Sequence, residues 1–220
     1  EMSTSDWSSD VCSSDLGEIM AKTQNGHRAH GFSSESFLDS HEFLDILNFK
    51  GDEVFMDAGC GDGHVAITVL NEYLNSGTVY AVDIYDASIE DMENYKLKNN
   101  IKNLINICAD IPKGINGVED SSIDIVLMVN VFHGFKASRQ IDEAINEFSR
   151  ITKTGGRVAV MDYKKWEVPK GPKFQMRSSP DELEEAFNHH NFKKVYLNEE
   201  IGEDIPEGKS HFLIIFEKVN

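Results

Sequence analysis

Residues 54–63, Val-Phe-Met-Asp-Ala-Gly-Cys-Gly-Asp-Gly, join an apolar run to an acid and then to three glycines at alternate positions. The run reads as a strand entering a sharp turn. The stretch 64–74 that follows places Val65, Ala66, Val69, Leu70 and Tyr73 on one stripe at helical spacing. Strand, glycine turn and helix form the opening unit of a parallel α/β sheet. Side chains at Gly59 or Gly61 would fill space that a ligand needs, so the turn reads as a binding loop.

Details of the turn narrow the ligand. A dinucleotide site requires G-x-G-x-x-G, with phosphate held at the helix N-terminus. Here the spacing is G-x-G-x-G, and His64 stands where the third glycine of that fingerprint belongs. Asp57 at the strand end would repel a phosphate and suit a cationic ligand. A second apolar run, 78–82, ends in Asp83, twenty residues after Gly63. An acid there can accept hydrogen bonds from both hydroxyls of a ribose.

The rest of the chain continues the alternation. A helix capped by Ser88 is expected to reach Asn99, and a short strand at 105–108 leads into Ala109-Asp110. The continuous apolar run 123–129 suits a strand covered on both faces, and it ends in Asn130-Val131-Phe132-His133. Ligands of such sheets sit beyond the carboxyl ends of the strands, which puts Asn130 and His133 at the site. A helix over 139–151, a strand over 157–161 closed by Asp162, and a helix started by Ser179-Pro180-Asp181-Glu182 follow. Strands at 192–197 and 211–218 close the chain as an antiparallel pair. In the loop 163–178, Lys164, Lys165 and Arg177 read as a solvated face; if they converged on the pocket, the acceptor would be anionic.

Taken together, Asp57 to Gly63, Asp83, Ala109-Asp110 and the Lys153-Thr-Gly-Gly-Arg157 segment resemble the successive motifs of class I S-adenosylmethionine-dependent methyltransferases, small-molecule type, over roughly residues 32–218. The resemblance implies a Rossmann-like α/β fold with a mostly parallel seven-stranded sheet, helices on both faces and an antiparallel C-terminal strand. It implies S-adenosyl-L-methionine as cofactor. Asp57, Gly59 and Gly61 would shape the site for its methionine end, Asp83 would hold the ribose, and Ile84 and Asp110 the adenine. Asn130 would line the methyl-transfer site, with His133 the candidate catalytic base and Asp162 and His30 behind it. The Asn-Val-Phe-His sequence lacks the Asn-Pro-Pro-aromatic pattern of enzymes that methylate exocyclic base nitrogens. Quinone-biosynthetic C-methyltransferases and uncharacterised archaeal and bacterial enzymes are the nearer resemblance.

Composition bounds the partners. A chain of 220 residues with a formal net charge of -17 is a poor match for a phosphate backbone, so a small-molecule methyl acceptor is expected and nucleic acid is not. A cofactor-binding protein without turnover and a protein methyltransferase are the alternatives. Three cysteines show neither metal-ligand spacing nor a disulfide framework, and no apolar run is long enough to span a membrane. A cytoplasmic enzyme is therefore expected. Residues 1–19 are rich in serine and aspartate without period and back-translate to a sequencing-library adapter; they read as an assembly artefact or a disordered tail, leaving 20–220 as the methyltransferase domain. His27 and His30 suit a lid over the site or a mobile leader better than a metal centre, since a third ligand must come from elsewhere and acids at the right distance are not evident.

Overall fold

The computed structural model describes residues 38–220. The first helix, α1 (Ser40–Leu44), is capped by Asp39, which accepts from the His41 amide, and runs on into a 3-10 turn. The strands are β1 (Val54–Ala58), β2 (Thr78–Asp83), β3 (Leu104–Cys108), β4 (Ile123–Val129), β5 (Thr152–Tyr163), β6 (Phe192–Ile205) and β7 (Gly208–Lys218). Between them lie α2 (His64–Thr68, with a π-helical continuation), α3 (Asp86–Lys98), α4 (Phe132–Ser138), α5 (Ile141–Ile151) and α6 (Pro180–Asn188). The seven strands form one sheet in the order β3-β2-β1-β4-β5-β7-β6. Only β7 runs against its neighbours.

Period-two alternation splits the core between the two faces. Phe55, Ile125 and Leu127 face a layer with Leu44, Val65, Val69 and Met92 from α1, α2 and α3 and its flanks. Met56, Val126 and Met128 face the other, where Phe132, Phe148, Phe187 and Phe216 pack. Phe187 and Phe216 stack with their planes 4° apart and centroids 4.2 Å apart, which seats α6 on β7.

Several boundaries differ from the sequence reading. Helix α3 begins at Asp86, so Ser88 lies inside it; the start is set by Asp83, whose Oδ1 accepts from the Tyr85 amide at 3.0 Å. Helix α4 occupies a segment read only as site residues, and Arg139 ends it in the left-handed region. Residues 200–210, between the two expected C-terminal strands, continue β6 and β7 as a hairpin. The start of α6 is as expected, with a full capping box between Ser179 and Glu182.

Gly63 shows why the turn must end in glycine. Its φ is +79°, and a Cβ there would stand 1.8 Å from Met92 Sδ, so α2 and α3 meet through the missing side chain. Gly63→Ala is expected to destabilise the protein by about 2–4 kcal/mol, combining left-handed strain and overpacking. Urea denaturation would measure it, and pairing the change with Met92→Ala should recover only the steric part.

Candidate functional site

The carboxyl ends of β1, β2, β4 and β5 converge where strand order reverses between β1 and β4, the place where open α/β sheets bind ligands. Asp57 is buried, and its Oδ2 accepts from the Ala66 amide at 3.0 Å, tying the end of β1 to α2. Burial pushes its carboxyl up to about 7; the Ala66 bond pulls the other way, and Asp83 and Asp62 add to the rise. Asp57 is thus held under the helix rather than at its surface.

The two glycines expected to leave room for a ligand do so unequally. A Cβ on Gly59 would lie 2.3 Å from Val131 Cγ2, so that space belongs to the entry of α4 and the reading of Gly59 is corrected accordingly. Gly61, at φ +53°, would meet nothing within 4 Å. Its amide donates to Asp83 Oδ2 at 2.8 Å. Each Asp83 oxygen therefore takes one backbone N–H and retains a second acceptor position. Half-buried Ile84 follows, and the Ala109 amide bonds the Asp83 carbonyl at 2.9 Å, bringing Asp110 alongside. Asp110 heads a 3-10 turn and pairs with Lys113 at 3.5 Å.

On the other side of the switch point, β4 delivers Asn130 with φ 58°, its amide bonded to the Met161 carbonyl at 2.9 Å. His133 follows in the first turn of α4. Its amide donates to Asp162 Oδ2 at 3.0 Å, and its Nδ1 lies 3.0 Å from Asp162 Oδ1. Burial disfavours the imidazolium, but the charge and hydrogen bond of Asp162 outweigh it and raise the His133 pKa above its ordinary 6.5. Burial likewise opposes ionisation of Asp162, yet His133 and two backbone N–H donors hold its pKa below the usual value.

Three features were not read from the sequence. Asp162 stood only as a secondary candidate and proves to be the partner of His133. His211 on β7 is fully buried and bonds Asn130 Oδ1 through Nε2 at 3.0 Å; nothing in Lys209-Ser210-His211 distinguishes it from an exposed histidine. Arg177 is buried too, against the reading of a solvated face. Its five N–H groups donate to the carbonyls of Pro172, Lys164, Trp166, Val168 and Lys170, which closes the 163–178 loop around it. Lys164 is buried over the Trp166 ring, and Lys165 pairs with Glu182.

Among the described residues no group of three His, Cys, Asp or Glu could hold a metal ion; His27 and His30 lie outside them. A surface concavity of about 640 Å³ lies at the opposite end of the sheet, lined by Lys50, Asp124, Lys153 and Arg157 at the amino ends of the strands.

Residues 49–218 match the family model described as a methyltransferase domain. The chain belongs to the class I S-adenosylmethionine-dependent methyltransferases. A SAM-dependent methyltransferase from Aquifex aeolicus is similar in structure, with TM-score 0.70 and 21% identity over 92% of this chain and 98% of that one. One from Methanosarcina mazei gives 0.62 and 17%, over 80% and 97%. Among curated proteins, the tRNA(Thr) (cytosine(32)-N(3))-methyltransferase of Saccharomyces cerevisiae is 26% identical over 172 residues, 67% of this chain. The chain spans about a quarter, 26%, of that relative's length. The chain thus carries the methyltransferase domain of a family whose methyl donor is S-adenosylmethionine.

The remaining acceptor positions of Asp83 suit the hydroxyls of a ribose, and the open space at Gly61 lies beside them. Asp83→Asn is expected to weaken binding of S-adenosylhomocysteine by about 10- to 100-fold, the equivalent of about 1.5–3 kcal/mol for hydrogen bonds to a charged acceptor. Calorimetric titration reads it, and unchanged affinity in the folded variant would remove Asp83 from the ribose.

Proposed function

We propose that the protein transfers the methyl group of S-adenosylmethionine to a small-molecule acceptor in the cytoplasm, with His133 as base and Asp162 as the group that orients it. The observation that carries this reading is the pair of half-buried His133 and buried Asp162 at the carboxyl ends of β4 and β5. Val131, two residues before His133, packs against Gly59 in the cofactor turn, so the pair and the turn are one construction.

In this proposal Asp57 and Gly61 shape the methionine end of the site while Gly59 makes room for Val131; Asp83 takes the ribose, Ile84 and Asp110 the adenine, and Asn130 lines the transfer position. The donor supplies an already activated methyl group, so the protein's main contributions are positioning and exclusion of water. A base is needed where the acceptor arrives protonated. Asp162 engages Nδ1, so the acceptor's proton passes to Nε2 of His133. Among the described residues no helix is long and apolar enough to cross a membrane.

The yeast relative favours a second reading, a tRNA acceptor. The net charge of -17 counts against it, since phosphate-backbone affinity rests on clustered cations. Incubation with methyl-labelled donor and separate small-metabolite, tRNA and protein fractions decides between them. Label confined to the small-metabolite fraction is expected; label in tRNA or protein would replace the acceptor class. With an acceptor in hand, His133→Ala should lower kcat about 10²- to 10⁴-fold.

The pH profile follows from the pair. A base must be neutral, and Asp162 raises the His133 pKa, so the rate should climb with pH through an apparent value above 6.5. Asp162→Asn removes the anion that retains the proton, leaving burial to lower the pKa. The rising limb should then move to lower pH, while an unmoved limb would dismiss His133 as the titrating base.

A further inference from the structure

A chain of buried polar groups ends on Asn130 and begins on the antiparallel strand. His211 is 0% exposed and engages both ring nitrogens, Nδ1 with Ser210 Oγ at 2.6 Å and Nε2 with Asn130 Oδ1 at 3.0 Å. A Cβ on Gly202 would stand 2.6 Å from Nδ1, so β6 leaves space for the ring, and Tyr163 covers it at a centroid distance of 4.1 Å.

Proton counting fixes the direction of this chain. The Glu203 amide donates to Ser210 Oγ at 3.0 Å, and the hydroxyl's own proton goes to Nδ1. Were Nδ1 protonated instead, the buried Ser210 hydroxyl would have no acceptor among the described residues. Burial pushes His211 down to about 4, with Lys170, Arg177 and His133 adding to the fall and Asp162 opposing it, so the ring is neutral. A neutral ring carries one proton, here on Nε2, and donates it to the Asn130 oxygen. With that oxygen engaged, the Asn130 amide is left to present its nitrogen, which can only donate.

We propose that His211 is a positioning residue which, through the Ser210–His211–Asn130 chain, fixes an amide donor at the methyl-transfer position, so that the acceptor is a molecule presenting an oxygen (carbonyl, carboxylate or phenolic) to Asn130 Nδ2. The inference rests on the small-molecule reading above and names its substrate class. A cationic amine would meet a donor where it needs an acceptor. The oxygen bonded to Asn130 is placed beside the transfer position, where His133 can receive a proton.

The test uses ¹⁵N-labelled full chain saturated with S-adenosylhomocysteine, titrated with benzoate and with benzylamine while the Asn130 side-chain amide is followed by NMR. Benzoate should shift that amide in the native protein and in His211→Gln, whose amide N–H can replace the Nε2 donor, but not in His211→Phe; benzylamine should shift it in none. Equal response to both probes, no response to benzoate, or an undiminished response in His211→Phe would overturn the proposal. Should His211→Phe fail to fold, the native imidazole nitrogens still decide: a protonated Nδ1 and bare Nε2 would refute the stated direction. Absence of S-adenosylhomocysteine binding would remove the site reading itself, an outcome distinct from a bound protein whose Asn130 does not discriminate.

Discussion

Two buried carboxylates at the ends of neighbouring strands hold the cofactor turn. Asp57 on β1 accepts from the Ala66 amide in α2, and Asp83 on β2 accepts from Gly61 within the turn and from Tyr85 beyond it. The strands are in parallel register, Ala58 beside Val82, so both acids arrive at one edge of the sheet. The Val82 carbonyl receives the Gly59 and Cys60 amides at 2.7 and 2.9 Å, which completes the turn. Hydrogen bonds to a charged acceptor contribute about 1.5–3 kcal/mol each. The turn is therefore preorganised by the protein's own groups, and a ligand need not order it.

This construction explains what the sequence makes legible. The strand-acid-glycine pattern and the apolar run 123–129 carry their structure locally, because alternation, turn residues and two-faced burial are written in consecutive residues. The mostly parallel α/β class follows from that pattern. The reason for Gly59 was not legible: its missing side chain accommodates Val131, more than 70 residues later, and only the assembled β1–β4 pair brings the two together. Helix α4 escaped for a related reason, since its short Phe-His-Gly-Phe start gives no periodic stripe to read.

The 163–178 loop illustrates a second limit. Three cations within a loop resemble a solvated face, yet Arg177 turns inward and supplies a donor to each of five loop carbonyls, of which those of Lys164 and Trp166 also accept from the Trp166 and Val168 amides. The planar guanidinium, with five N–H groups in a fixed fork, makes this possible; a lysine has three donors and a point charge. A buried arginine of this kind keeps its charge even though burial lowers its pKa, because the ordinary guanidinium value lies far above neutrality. The loop beside the site thereby acquires an internal frame, and its shape follows from hydrogen-bond satisfaction instead of from apolar packing.

The two histidines at this end of the sheet show how environment assigns a role that residue type cannot. His211 is fully buried and His133 half-buried, and burial alone favours the neutral form of both. His133 has a carboxylate against Nδ1, which raises its pKa above the ordinary value in spite of burial. His211 has a hydroxyl and an amide instead; neither offers charge, and its pKa falls to about 4. One ring is thus suited to take a proton and the other to keep one. Because Asn130 precedes His133 by three residues and is held by His211, the two rings are coupled to a single strand end, that of β4.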